Sequence, residues 1–480
     1  MVSLNSSMYV GLKGINAARA GLNVTGNNIS NVNTEGYSRQ SVELTARRDS
    51  RLGGLMLGTG VDIKAVTAAR NNLIEQTFTQ QTNQLGFHQE MYQLMRQMES
   101  IVEDSDYSGI DYSFQRFFSG MEEAASRPDQ LAPRQELLES GGSLALEIRN
   151  RYNQLEEMQG QVNQEVKAVI DQINLLTEQI AELNVQISTS ADEPNNLIDE
   201  RQRMVNELSE LAGIDVFEMH NNLIQVNLKN TGYILVGNTE STPLTAELNT
   251  ANNNYWTVSY PFNGVQTDIG SELTLGKIEA KMQIRDSEIP ALKRRLDNLA
   301  AGLIQSVNAI HQTGFAMDGT TTNLNFFTPF VSGAAGPDNN LGAAATISIS
   351  TDVLDQPENV ALSATGAIGD NEIGNQLAAL RQNTTVIDSD GDGALDSGTF
   401  EAYLHETMAG LGSAINSASD SRDTQEALLI QTKGRRSEIS EVSLDEEAVK
   451  LTQYQRAFQA SSKFISLIDQ LTGDIINQLR

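Results

Sequence analysis

IRNRYNQLEEMQGQVNQEVKAVIDQINLLTEQIAELNVQI, residues 148–187, is the stretch on which the fold turns. Ile148, Tyr152, Leu155, Gln159, Val162, Val166, Val169, Ile173, Leu176, Ile180, Leu183 and Ile187 recur at helical spacing and keep one face continuous, and only Gln159 interrupts its apolar character. No proline lies between Arg149 and Ser190, so at helical rise the segment is a rod of about 60 Å. Pro194 then precedes a second helical face, Leu197, Met204, Leu208 and Leu211, with Gly213 as its expected stop. Further helices are expected at about 278–312, 372–383, 399–418 and 420–442.

Between these helices the period changes. IDVFEMHNNLIQVNLKNTGYILV, residues 214–236, alternates apolar and polar residues around Asn221-Asn222 and Lys229-Asn230-Thr231-Gly232, the pattern of short strands joined by tight turns. YWTVSY at 255–260 and ATISIST at 345–351 are further strand candidates. The lone Trp256 reads as a packing residue of the β insertion.

Both ends of the chain carry helical stripes. At the start, Leu4, Met8, Ile15, Leu22 and Ile29 are large, with Gly11, Ala18 and Thr25 between them, and the pattern should end near Asn31–Gly36. At the finish, Leu451, Tyr454, Phe458, Ser461, Ile465, Ile468, Thr472, Ile475 and Leu479 keep the same spacing, widened by Ala457, Ala460, Phe464, Leu467 and Leu471. Matching stripes at the two extremes imply a helical pair with everything else inserted between. Short amphipathic helices are marginal alone in water, so both ends are expected to need packing between subunits and to be disordered in the monomer.

The fold class expected is mainly α with a β insertion. It comprises a terminal coiled-coil assembly domain of residues 1–48 and 443–480 and an elongated helical domain of 49–213, 277–315 and 372–442. A β-rich outer insertion is expected at 214–276 and a second β-rich or irregular insertion at 316–371.

Charge excludes some partners. The chain of 480 residues carries a net charge of -29, which repels nucleic acid and anionic membranes at long range. Residues 1–48 hold five Lys or Arg against two Glu and residues 444–480 hold four against five acids, so nearly all the negative charge lies in the middle. Near-neutral ends can crowd together while an acidic middle stays hydrated. There is no cysteine, which removes disulfides and thiolate chemistry. No run of eighteen apolar residues occurs, and the first residues lack the basic start and apolar run of a cleaved signal.

GNNISNVNTEGYSRQ, residues 26–40, ends a helix and opens an extended segment, which alone reads as a connector. The string resembles the N-terminal signature of the flagellar axial proteins, carried by Asn27, Asn28, Ser30, Asn31, Asn33, Thr34, Gly36 and Tyr37. Its continuation through GYSRQ, Val42 and Leu44 is most similar to the first hook-associated protein family. FQRFFSGMEEAASRPDQLAPRQELL, NNLIDERQRMVNELSELAGI, LDNLAAGLIQSVNAIHQTGF and LDEEAVKLTQYQRAFQASSKFIS resemble successive parts of the same family, in order, across nearly the whole chain. The resemblance implies a structural subunit joining hook to filament, with paired terminal helices lining a tube and insertion domains facing outward. The large residues of the two stripes, Leu4, Met8, Ile15, Leu22 and Ile29 with Leu451, Tyr454, Phe458, Ile465, Ile468, Ile475 and Leu479, would form the assembly interface. It implies as partners copies of the chain itself, the hook protein, the second junction protein and an export chaperone on the C-terminal helix. It also implies an extracellular place at the hook–filament junction, reached without a cleaved signal. Another axial subunit, such as a hook or distal rod protein, and a secreted coiled-coil adhesin are the alternatives.

No cofactor is required by this reading. DSDGDGALD at 388–396 offers Asp388, Asp390, Asp392, the Ala394 carbonyl and Asp396 as a candidate calcium loop, with Gly393 at the turn. The fit is incomplete, because position twelve is Thr399 where a bidentate Glu belongs and Glu401 falls two residues late. His88, His220, His311 and His405 stand in unrelated contexts without a metal-ligand spacing, and no catalytic signature occurs, so an enzyme is not expected.

Overall fold

The computed structural model describes residues 2–48, 50–52, 55–103, 109–190, 194–331, 339–384, 386–387 and 398–478. Helix α1 (Val2–Ser30) leads into an antiparallel hairpin of β1 (Gln40–Ala46) and β4 (Val61–Ala68), extended at its tip by β2 (Ser50–Leu52) and β3 (Leu55–Leu57). Helices α2 (Asn72–Val102), α3 (Ile110–Ser126), α4 (Leu131–Thr189) and α5 (Asn195–Leu211) follow. Next come an antiparallel sheet of β5 (Ile214–Glu218), β6 (Ile224–Leu228) and β7 (Ile234–Val236), and another of β8 (Thr245–Asn249), β9 (Tyr255–Phe262) and β10 (Val265–Asp268). The chain returns through α6 (Gly276–Gln283), α7 (Ile289–His311), the short α8 (Ala343–Thr346), α9 (Glu372–Ala379), α10 (Phe400–Ser440) and α11 (Leu444–Gln478).

The expected rod is longer than its apolar face announced. Helix α4 has 59 residues and is about 90 Å long. It begins at Leu131 because Pro133 sits in the first turn, where its missing N–H costs nothing. Two hydrophobic cores are strung along it. The first gathers Phe114, Phe117, Phe118, Leu137, Ile148 and Leu155 with Leu299, Phe326, Phe327 and Phe400. The second joins Val166, Ile173 and Ile180 of α4 to Val205 and Leu208 of α5 and to Val226, Leu235 and Val258 of the sheets. Residues 214–276, expected as a separate outer domain, thus share a core with the distal half of α4.

Gln159, the break in the seam, lies where the cores meet. The turn Ile284–Glu288 between α6 and α7 is a π-helix followed by Pro290. A proline has no N–H to return to the carbonyl five residues back in that register, and Gln159 Nε2 donates to that Arg285 carbonyl at 2.7 Å. The buried Arg285 Nη1 donates to Asn163 Oδ1 at 2.9 Å and to the Trp256 carbonyl at 2.6 Å, while Nε reaches Asp286 Oδ1 at 2.7 Å. The buried Lys281 ammonium is held between Glu90 and Glu165.

Other expectations are corrected. The expected boundary between residues 48 and 49 divides β1 from its partner β4, because the extended segment read through Val42 and Leu44 pairs with a strand at 61–68 that the sequence did not mark. Residues 399–418 and 420–442 form the single helix α10, because no Gly or Pro breaks it at Ser419. ATISIST makes an isolated bridge, Phe327 with Ile349, in place of a strand. Of the two forms expected for 316–371, β-rich or irregular, the described part takes the irregular one and folds into the first core, satisfied by side chains: Asn308 Oδ1 accepts from both Phe326 N and Phe327 N at 2.9 Å. Gly213 is the stop of α5 for a steric reason as well, since a Cβ there would come within 1.7 Å of the Thr274 carbonyl oxygen.

Two expected outcomes follow from the first core. Phe117 is fully buried against Phe118, Phe326 and Phe327, and Phe117→Ala should cost about 3–5 kcal/mol in a denaturant melt. Near it, burial pushes the His311 imidazole down to about 4, while Nδ1 faces the Leu324 carbonyl at 2.7 Å and Nε2 accepts from Ala361 N at 2.8 Å. Burial pushes the Asp297 carboxyl up to about 6. The two act with opposite sign. His311 contributes stability that is full above its unfolded value of 6.5 and is lost as pH falls to about 4, whereas Asp297 contributes stability that is full at low pH and is lost as pH rises through about 6. Asp297→Asn should therefore unmask a loss of about 3 kcal/mol on acidification that the wild-type chain largely hides, read from melts at successive pH values.

Candidate assembly interface

Helices α1 and α11 run along each other as the expected terminal pair, both helical throughout their described lengths. The single chain departs here from the disorder expected of its ends in the monomer, because each helix supplies the burial that the other would lack in isolation. The face that α1 turns to α11 is its small one. Gly11, Ala18, Gly21, Thr25 and Asn28 are buried, and the close approach leaves no room for more. A Cβ at Gly11 would stand 2.6 Å from Ile465 Cγ1, and one at Gly21 would stand 2.4 Å from the Tyr454 ring.

The large residues of α1 are left mostly outside this seam, whereas Tyr454 and Ile465 of α11 enter it against Gly21 and Gly11. On α1, Met8 is exposed, while Ile15, Leu22 and Ile29 are half-buried. On α11, Leu451, Tyr454 and Ile465 are half-buried, Ile468 is buried, and Phe458 and Ile475 are exposed. Leu4 lies on the backbone of α1, and Leu479 lies outside the described residues. Phe464, Leu467 and Leu471 make a further exposed row, Leu467 at 54%. An apolar surface of this extent on a pair of helices marks a protein–protein contact.

The signature string is the bolt that fixes this pair to the body. Asn28 is fully buried with its amide satisfied on every side: Nδ2 donates to the Gln40 carbonyl at 2.9 Å and to Glu447 Oε2 at 3.0 Å. Its Oδ1 accepts from Gln40 N at 3.0 Å and from the Tyr37 hydroxyl at 2.9 Å. Asn27 Nδ2 donates to the same hydroxyl at 3.2 Å. Burial, with Asp199 and Glu447 nearby, pushes Tyr37 up to about 12, so it is a permanent donor. The turn beyond α1 is held by Asn31, whose Nδ2 donates to Asn27 Oδ1 at 3.0 Å and whose Oδ1 accepts from Thr34 at 3.2 Å. Gly36 takes the left-handed φ of +80° that lets the chain reverse. Ser30 returns its hydroxyl to the Gly26 carbonyl at 2.9 Å, and Asn33 is exposed.

Other members of the network went unmarked in the sequence. Ser38 donates to Asp199 through N and Oγ at 3.0 and 2.6 Å, and Arg70 Nη2 meets Asp199 Oδ1 at 2.6 Å. Gln40 Nε2 donates to Asn196 at 2.9 Å, and Arg39 N to the Ser440 carbonyl at 2.8 Å. Residues 26–40, NNLIDER and LDEEAVK therefore meet in space. Their recurrence together in one resemblance was the available signal.

The candidate calcium residues Asp388, Asp390, Asp392, Ala394 and Asp396 lie outside the described residues. Thr399, at position twelve, caps α10 by accepting from Ala402 N at 3.1 Å, and Glu401 pairs with Arg381 at 3.1 Å. Among the described residues no cluster of three or more His, Asp or Glu could hold a metal, and no helix is long and apolar enough to cross a membrane.

Comparison with known proteins follows the same divisions. Residues 95–327 match the profile of the flagellar hook-associated protein FlgK helical domain. Residues 8–37 match that of the flagella basal body rod protein, and 434–479 that of the flagellar basal body rod FlgEFG protein C-terminal region, so the two rod profiles fall on the paired helices. The chain is 26% identical to flagellar hook-associated protein 1 of Bacillus subtilis over 98% of both chains. It is 28% identical to the protein of that name from Salmonella typhimurium, over 73% of this chain and 64% of that one. In fold it is similar to the flagellar hook junction protein FlgK from Burkholderia pseudomallei, with a TM-score of 0.64 and 17% identity over 77% of this chain and all of that one.

Proposed function

This chain belongs to the flagellar hook-associated protein 1 family, structural proteins of the hook–filament junction and not enzymes, and from that premise we propose that the α1–α11 pair is the element through which copies of it assemble. The observation that carries the proposal is the division of labour on α1. Its small residues are consumed by pairing within the chain, and its exposed Met8, Tyr9 and Leu12, with Phe464, Leu467 and Leu471 of α11, are left to pack on neighbours. The flanking surface has little net charge, so neighbouring copies can approach.

The partners on either side would be the hook protein and the second junction protein. Before assembly the open face of α11 suits an export chaperone, which would keep its apolar row from water. We place the assembled protein outside the cell.

Amide hydrogen exchange tests the assembly step. The ends, residues 2–30 and 444–478, should exchange much faster than α4 in the free chain and slow strongly once copies assemble. Ends as well protected as α4 before assembly, with no change after it, would show that their faces are already covered and would sink the proposal.

A further inference from the structure

A cleft of about 360 Å³ opens between the start of α2, the first turns of α5 and the end of β5, away from the α1–α11 seam. Arg201 lines it while being only 5% exposed. Its Nη1 is engaged, donating at 2.7 Å to Asn184 Oδ1 and at 2.7 Å to the Asn222 carbonyl. Both acceptors are neutral. Among the described residues no carboxylate lies within salt-bridge distance of this guanidinium, and Nε and Nη2 have no hydrogen-bond partner. Among the described residues neither nitrogen counts as a fully sealed polar atom, and Arg201 lines the cleft. Arg70 lines the same space, close enough for the two cations to disfavour one another, and its Nη1 is likewise unused beside its pairing with Asp199.

A buried cation without a counter-charge is costly. The Nε–Nη2 edge of arginine presents two parallel donors whose spacing matches two oxygens on one carbon or phosphorus. The carboxylates on the cleft wall leave that edge unpaired: Glu75 is bound to Arg436 at 2.7 Å, and Glu218, whose charge favours the cation without reaching it, is exposed and accepts from Asn72 at 2.7 Å. We propose that the cleft binds a small oxyanion, carboxylate or phosphate, on the free Nε–Nη2 edge of Arg201. Glu218 stands at the rim and weakens this binding through its charge.

The test is a titration of the full chain with sodium phosphate, and separately with sodium acetate, at constant ionic strength, following the arginine Nε–H resonances by NMR. One resonance, absent in Arg201→Lys, should shift with saturation, and the melting temperature should rise by on the order of 1–2 °C. Saturation with phosphate alone identifies a phosphate ligand, and saturation with acetate as well admits a carboxylate side chain of a neighbouring molecule. Small, linear shifts spread over all the arginines would mean bulk screening and overturn the site. Glu218→Gln supplies a control that leaves Arg201 in place: it should tighten binding at least about two-fold at low salt, and unchanged affinity would count against the proposal.

Discussion

Gly21→Ala is expected to weaken the terminal pair even though alanine is the better helix former. In an open helix the exchange stabilises by about 1 kcal/mol. At Gly21 the new methyl would stand 2.4 Å from the Tyr454 ring, and forcing a closed seam apart costs about 1–3 kcal/mol. The sign of the effect therefore reports whether the seam is closed. Gly26, on the same helix with nothing within 4 Å of its Cβ position, supplies the comparison, since Gly26→Ala should stabilise. Protection of α1 in amide exchange and the yield of assembled material should both fall for the first variant and hold or rise for the second. Gly21→Leu should abolish assembly while the melting of the two α4 cores is unchanged, because α1 belongs to neither. Stabilisation by alanine at both glycines would show that the helices stand further apart than described.

The second large effect lies at Asn28. Removing its amide leaves the fully buried Glu447 with Lys450 at 2.7 Å as its remaining partner and strips the Tyr37 hydroxyl and the Gln40 peptide of theirs. Asn28→Ala should cost about 3–5 kcal/mol in the docking of α1 and α11. Asn28→Asp should be worse at neutral pH, placing a second carboxylate beside Glu447. Replacing Asn28 and Glu447 together by leucine should cost less than the two single changes summed, because each single change strands the other partner. Additive losses in that cycle would mean that the contact at 3.0 Å carries no coupling.

The sequence showed the long elements well and their contacts poorly, for physical reasons that particular residues make plain. Helix α4 was legible because burial on one side repeats every three or four residues for forty positions, and the first sheet was legible because turn residues bracket an alternating run. Of the seam between the termini, the apolar stripe marks the α11 side, Tyr454 and Ile465, and on α1 it marks the residues beside the contact. Hydrophobic period finds the strongest burial signal, Met8, Ile15 and Leu22, whereas close helix packing selects for the absence of side chain at Gly11 and Gly21. Asn28 looked like part of a connector because its partner Glu447 is 419 positions away. Phe326 and Phe327 sit in an aperiodic stretch, yet their backbone groups are satisfied by Asn308, and no periodicity can advertise a core built in that way.

Helix α4 has a mechanical consequence. A rod about 90 Å long threaded through both cores is a shared beam, and a twist applied to the first core is carried along it to the second, whose helix α5 holds the terminal pair through Asp199. The polar belt around Gln159 and Arg285 interrupts the apolar grip on that beam at one level. Hydrogen bonds can exchange partners under load at small cost, whereas interdigitated methyl groups lock. Bending should concentrate at this belt and leave the stiff ends intact, so that strain arriving from a flexing neighbour is absorbed inside the subunit before it reaches the paired helices that hold the assembly together.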